Sequence, residues 1–509
     1  MHPIQTAYDD LTQRLSELTT LDEIEGLLQW DQEVTMPPGA AASRGRQVAT
    51  LGVVRHERAT AAELGRLLHQ LEDDQQLDPL QRANVREARR AYERVHNVPS
   101  ELVRRWGEAT VRAHGSWIAA RKASDFSLFA DDLAELVALA RARAAAIDPR
   151  RPAYEVLIDA FEPGMTMKKL DDVFAQLRDF LVPFLARIRA QPGVDTTMIA
   201  ADVPEAEQEA VGRALAETLG YDFAHGRMDT AVHPFCGGAG AADVRITTRY
   251  QRDRFQQSLL AVVHETGHAM YEQGRDRSLA DQPVSMARSM GVHESQSLLW
   301  ETQVARSTAF WQGRLPWLRG RYPFLADVAV ETFVSALNSV NFNNEIRVEA
   351  DEVTYPLHVI LRYELERDLF SGALEVRDLP AAWNARTKAW LGVEPSSDAT
   401  GVLQDIHWCI GAFGYFPSYT LGALYAAQLY AAAGRAVPDL ADRIAAGDFG
   451  ALRDWLRAHV HQPGSRWETD ELIRRATGTA LDPSWYMAHI ERRYGRLYGL
   501  TVGSAATEG

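Results

Sequence analysis

Apolar residues recur at a spacing near 3.6 along most of the chain, and Pro, Gly and Asp/Asn punctuate the intervals between them. This pattern predicts helices at 79–97, 102–123 and 128–147. The first stops before Val98-Pro99 and the third before Asp148-Pro149, because a residue preceding proline is steered out of the helical region. Further helices are predicted at 167–191, 205–219, 255–273, 292–311, 344–369 and 422–433, the fifth of these kinked at Pro356. One segment has a different period. Between Asp243 and Tyr250 the residues Val244, Ile246, Thr248 and Tyr250 alternate with Asp243, Arg245, Thr247 and Arg249, which is the signature of a strand. The strand follows the turn-rich run His233–Gly240 and precedes the helix at 255, so a loop, a strand and a helix meet within about forty residues, and a cleft is expected there. The predicted class is all-α, mainly helical, with one small β element.

Composition narrows the choices. With 46% hydrophobic and 24% charged residues, the 509-residue chain reads as an ordinary globular protein with a large core. The net charge of -15 is spread without a basic block, which argues against nucleic acid or an anionic membrane as the main partner. The amino terminus lacks the basic start and apolar run of a signal peptide. The apolar stretch 421–433 is interrupted by Gln428 and is too short for a bilayer core of about 30 Å. Cys236 and Cys409 form no metal knuckle and no disulfide framework; they read as small buried thiols, and a cytoplasmic location is expected.

The chemistry concentrates in His264-Glu-Thr-Gly-His268, an HExxH pattern inside a helical run. Residues four apart lie one turn above each other, so both imidazoles face the same side and can share one Zn²⁺. Glu265, offset by one position, can reach a water beside the metal and take its proton. With 15 histidines in 509 residues, chance supplies only about a few hundredths of such a match per chain. Gly267 is a poor helix former, which implies close packing at that point. A catalytic zinc needs a third protein ligand and one open position. Tyr271 and Gly274 stand where an extended HExxH motif would place its glycine and third histidine, so the ligand comes from elsewhere. Glu294, 26 residues after His268, stands near the start of a return helix. The adjacent His293 is the alternative ligand.

Two other segments complete the candidate site. Around Arg347 the spacing allows either a solvated Arg347–Asp351 pair or an arginine aimed into the cleft, ready to bind a carboxylate through two hydrogen bonds. The stretch from Gln404 to Gly422 gathers His407, Trp408, Tyr415 and Tyr419. These either donate hydrogen bonds to an oxyanion or form an aromatic core.

Taken together, His233-Pro-Phe235, Asp243-Val-Arg-Ile-Thr247, His264-Glu-Thr-Gly-His268, His293-Glu-Ser-Gln296, Ile346-Arg-Val-Glu-Ala-Asp351, Gln404-Asp-Ile-His-Trp408 and Gly414–Gly422 resemble the thermostable carboxypeptidase Taq family of metallocarboxypeptidases. Leu28-Gln-Trp-Asp-Gln-Glu33 and Met36-Pro37 extend the resemblance toward the amino terminus. It implies a single catalytic domain over 1–509 with a deep groove between two lobes. In that division 1–230 forms one groove wall, 231–430 the zinc site and substrate core, and 431–509 the last helices. It also implies a homodimer that removes single residues from free peptide carboxyl termini with broad tolerance, poorly where proline is terminal. By position, His264, His268 and Glu294 would bind Zn²⁺, with Co²⁺ or Mn²⁺ as substitutes, and Glu265 would be the general base. Arg347 would take the substrate's carboxylate, and His407 and Tyr419 would serve the oxyanion. His233, Asp243, Arg245 and Tyr415 would line the substrate pocket, with the strand at 243–250 pairing with the peptide backbone. The rival readings are a helical zinc oligopeptidase that cuts internal bonds and a binding protein that keeps a structural metal.

Overall fold

A computed structural model of the chain describes residues 3–501. It is mainly helical, with one three-stranded sheet. Local chemistry sets many helix boundaries. Asp78 accepts from the amides of Leu80 and Gln81 while the Gln81 side chain accepts from the Asp78 N–H, a capping box that starts Pro79–His96. Thr166 caps Met167–Arg189, and Ser124, in a left-handed conformation at φ 53°, ends Ser100–Ala123. The helices predicted at 128–147, 205–219, 255–273 and 422–433 are present as Ser127–Ile147, Glu205–Leu219, Phe255–Gly274 and Pro417–Ala436. Among the described residues, no helix is long and apolar enough to cross a membrane.

Three expectations require correction. The helix predicted at 344–369 begins only at Tyr355, so Pro356 sits in its first turn, where a missing N–H costs nothing, and no kink follows. The segment predicted as one helix over 292–311 is Met290–Leu298, a π-helical stretch Leu299–Ala305, and a new helix from Thr308 capped by Ser307. The strand is present as β3 (Val244–Thr248), but it is the middle strand. It runs parallel to β1 (Met228–Thr230) and antiparallel to β2 (Cys236–Gly238), so neither edge of β3 is free to accept a peptide.

The Phe255–Gly274 helix is buried on almost every face, as expected of a helix at the centre of a packed body. On one side Val262 and Ala269 pack with Val244 and Ile246 of β3; on the other lies the Met290–Leu298 helix. The second contact is backbone on backbone. A Cβ at Gly267 would stand 2.5 Å from the Gln296 carbonyl oxygen and 2.6 Å from the Ser297 Cα. The Met290–Leu298 helix also lies against Pro417–Ala436, where Gly422 leaves room for the Glu294 side chain. One large apolar core runs from Ala109 to Tyr498, and a smaller one joins the amino-terminal helices through Leu11, Leu15, Leu67 and Leu71.

Gly267→Ala adds about 1 kcal/mol of helix propensity but forces apart two backbones that cannot rotate away. We expect a net destabilisation of about 1–3 kcal/mol, read from the urea unfolding midpoint. A variant as stable as the parent would show that the two helices separate freely.

Candidate active site

His264 and His268 rise from the same face of the central helix, and Glu294 meets them from the return helix. The Glu294 Oε2 lies 3.3 Å from His268 Nε2 and 3.7 Å from His264 Nε2. The ligating atoms of these three residues fall within 4.8 Å of one another. The Ser297 hydroxyl, one turn on, donates to the Glu294 carbonyl at 2.7 Å and lies 3.2 Å from Glu294 Oε2.

Both imidazoles are held from behind. His264 Nδ1 is 3.0 Å from Glu301, which is itself paired with Arg306 at 3.0 Å. His268 Nδ1 is 2.6 Å from His293 Nδ1, and His293 Nε2 is 2.9 Å from Glu272, which Arg275 holds at 2.7 Å. One tautomer assignment satisfies this chain: His268 Nδ1–H donates to His293, and His293 Nε2–H donates to Glu272. The Nε2 lone pair of His268 is then left facing Glu294 and His264. Both nitrogens of His293 are engaged in that relay, and its neighbour Glu294 is the group that faces the two imidazoles.

The donors match a divalent ion of the zinc type: two imidazole nitrogens and one carboxylate, with the outer nitrogens tied to hydrogen-bond acceptors. Glu265 supplies a second indication. It is 6% exposed, and its Oε2 is buried with no hydrogen-bond partner, which costs free energy unless a further group docks there. Burial, reinforced by the nearby Glu294 and Glu301 carboxylates, raises its pKa to about 7 against the opposing pull of His264 and His293. Burial, with the Glu265 and Glu272 charges, keeps the Cys236 thiol protonated.

Facing this cluster is an aromatic and cationic wall. His407 Nε2 is 3.1 Å from the Tyr419 hydroxyl, and the Tyr415 ring lies 5.1 Å from that of Tyr419. Burial lowers His407 to about 4, so its ring is neutral, and raises Tyr419 to about 12, so its hydroxyl keeps its proton. Arg347 does not pair with Asp351. Its Nε and Nη2 donate to Asp405 at 2.9 and 2.8 Å, its Nη1 donates to the Tyr355 hydroxyl at 3.0 Å, and the residue is 5% exposed. Asp351 instead accepts from the amides of Val353 and Thr354 and from the Thr354 hydroxyl, in the turn that precedes the helix starting at Tyr355. A second guanidinium, Arg362, donates to the other oxygen of Asp405 at 2.6 Å.

The remaining candidates gather at the sheet. Asp243 and Arg245 form a two-bond pair at 2.8 and 2.6 Å, and Arg245 lies over Trp30, 5.7 Å from its ring centroid. Trp30 in turn packs on Phe235 at 5.2 Å, and the Thr247 hydroxyl binds both the amide and the carbonyl of Phe235. His233 is exposed in the turn between β1 and β2. These contacts tie the amino-terminal helix Pro3–Val34 to the sheet under the central helix.

Sequence reasoning missed Glu272, Glu301, Tyr355, Asp405 and Arg362. Glu272 stands one turn after His268 and was open to the same spacing argument. Glu301 was hidden, because its approach to His264 depends on the π-helical stretch, which no periodicity announces.

Residues 10–494 match the family described as Carboxypeptidase Taq (M32) metallopeptidase. Thermostable carboxypeptidase 1 of Thermus thermophilus is 39% identical, covering 97% of this chain and 99% of that protein. Carboxypeptidase 1 of Bacillus subtilis is 35% identical over 98% of this chain and 99% of its own length. Among solved structures, the M32 carboxypeptidase of Deinococcus radiodurans superposes with a TM-score of 0.94 at 40% identity, covering 97% of this chain and all of that one. Metallocarboxypeptidase 1 of Trypanosoma cruzi gives 0.92 at 39% identity, covering 96% of this chain and 99% of that one. The chain therefore belongs to the carboxypeptidase Taq family of metallopeptidases, hydrolases that act on peptide bonds.

Proposed function

We propose that the protein is a zinc-dependent carboxypeptidase that releases single residues from the free carboxyl ends of peptides, with broad side-chain tolerance and poor action at terminal proline. The observation that carries this reading is the convergence of His264, His268 and Glu294 beside a buried carboxylate oxygen of Glu265 that has no partner. In this reading His264, His268 and Glu294 hold the ion, with Co²⁺ or Mn²⁺ as workable substitutes. A zinc-type ion there supplies Lewis-acid polarisation of water and of the scissile carbonyl.

Glu265 takes the proton of the attacking water and returns it to the leaving amine. A carboxyl group raised toward neutrality by burial suits both halves of that cycle. The Tyr419 hydroxyl, held against the neutral His407 ring, stabilises the developing oxyanion. Arg347 contributes positive charge for the terminal carboxylate, and Tyr415 lines the same wall. Asp243 and Arg245 shape the far side of the groove, Arg245 through its stacking over Trp30, and His233 stands exposed in the turn beside them. The protein acts on peptides in the cytoplasm as a homodimer, an assignment supported by the family resemblance and by the two unpaired thiols.

The deciding experiment is a mass-spectrometric time course on one peptide as the free acid and as the carboxyl-terminal amide, each with and without chelator. Stepwise single-residue losses from the free acid alone, abolished by chelator, are expected. Internal cleavage of both forms would replace this reading with an oligopeptidase, and no cleavage by zinc-loaded protein would favour a structural metal.

Glu265→Gln keeps the metal and lowers kcat by roughly 10²–10⁴-fold, as loss of a general base does. Activity within about tenfold of the parent would remove Glu265 from that role. His293→Ala is expected to weaken metal affinity by roughly 10–100-fold, the usual cost of losing the partner behind a ligand. Full loss of stoichiometric metal would instead make His293 a ligand, and both outcomes are read by chelator competition.

A further inference from the structure

The wall that faces the metal cluster carries a mismatch between where its positive charge sits and where a substrate can touch it. Arg347 and Arg362 share one carboxylate, Asp405, so the cluster holds one net positive charge, and burial keeps the neighbouring His407 neutral. A net cation behind an aromatic wall attracts an anion. Yet Arg347 is 5% exposed and Arg362 is fully buried, and three of the five N–H donors of Arg347 are directed to Asp405 and to Tyr355. Arg347 lies against the Tyr419 ring, 4.7 Å from its centroid, and apart from Asp405 the side-chain group its guanidinium N–H donors bond is the Tyr355 hydroxyl.

Tyr355 is half-buried at the start of its helix, with its ring 6.1 Å from that of Tyr419. A phenol oxygen has two acceptor sites and one proton. One acceptor site takes the N–H of Arg347 at 3.0 Å. Among the described residues no group accepts the hydroxyl proton, although Tyr355 lies close enough to Glu294 and Tyr419 to feel their charges. Burial raises its pKa, so the proton stays in place through the whole neutral range. A hydroxyl that accepts from a guanidinium is polarised into a better donor, and hydrogen bonds in a chain strengthen one another where the dielectric is low.

We propose that the Tyr355 hydroxyl donates directly to the terminal carboxylate of the substrate, with Arg347 acting through it as the polarising charge. The inference rests on the carboxypeptidase reading and assigns the residue that recognises the free carboxyl end. It also separates the two phenols by task. Tyr419, held by His407, faces the reacting carbonyl, whereas Tyr355, held by Arg347, faces the charge one residue further along the peptide.

The test is Tyr355→Phe in the metal-loaded full chain, with kcat and KM measured on a free-acid peptide. Binding of N-acetyl-leucine and of N-acetyl-leucinamide is followed in parallel by calorimetry. Removing a hydrogen bond to a carboxylate is expected to raise KM by roughly ten- to hundredfold, with kcat within about threefold. The affinity for N-acetyl-leucine should fall by the same factor, while that for its amide stays put. A fall in kcat at unchanged KM would move Tyr355 to the oxyanion and overturn the proposal, as would equal weakening of acid and amide. A Y355F protein that loses its metal or its cooperative unfolding would also overturn it, by making the hydroxyl a structural group. If the parent itself fails to trim the free acid, the carboxypeptidase reading falls as well. An active parent with an unaltered Y355F removes only the present inference.

Discussion

Everything at this site depends on desolvated charge that must be balanced within a few ångströms. Glu265, Glu272, Glu294 and Glu301 crowd around two imidazoles in the middle of the helical body, where an unpaired carboxylate is costly. Each negative group has its own answer. Glu272 is held by His293 and Arg275, Glu301 by His264 and Arg306, and Glu294 by the two histidines. Glu265 has no such answer for one of its oxygens, and its pKa rises accordingly. The Glu294 and Glu301 carboxylates outweigh burial at His264 and raise its pKa, while at His268 burial wins and the ring stays neutral. The cluster is therefore built to hold positive charge, and a divalent cation meets that demand better than a single imidazolium proton.

Holding this charge requires that two helices stay at one separation and one register. Gly267 brings the Gln296–Ser297 backbone against the central helix, and Gly422 gives Glu294 its space on the other side. The return helix is fixed at its start as well. Ser289 caps it, and the buried carboxylate of Glu162 accepts from the Gly291 amide and from the Ser418 hydroxyl, the residue next to Tyr419. One side chain thus joins the helix that carries Glu294 to the helix that carries Tyr419. The π-helical stretch then rotates Glu301 onto His264, a case of local irregularity placed where a side chain has to be re-aimed.

Much of this was legible in the chain. The HExxH spacing, the glycine inside it and a glutamate on a following helix are local patterns, and a regular helix converts local pattern into geometry. The strand at Val244–Thr248 was equally readable, but its partners were not, because strand order depends on contacts between distant segments, and β3 proved to be the centre of its sheet. Arg347 shows a similar limit. An i,i+4 pair with Asp351 presumes a helix, and the helix starts only at Tyr355. Asp351 bonds the turn at Val353 and Thr354, and Arg347 pairs across to Asp405, where one carboxylate serves two guanidinium groups.

The burial of Arg347 has its own logic. A bare guanidinium lining the groove would attract any carboxylate, including side chains of an internal peptide segment, and would be screened by water and salt whenever the site was open. Bonded to the Tyr355 hydroxyl and anchored on Asp405, the same charge would act in a medium of low dielectric and through a donor of fixed position. Its reach is then short and directional. On the proposed role of Tyr355, a negative group that ends the chain in register with the metal cluster would meet the phenol, the cationic pair and the reacting centre together. In this arrangement exopeptidase selectivity follows from where charge is withheld from solvent as much as from where it is placed.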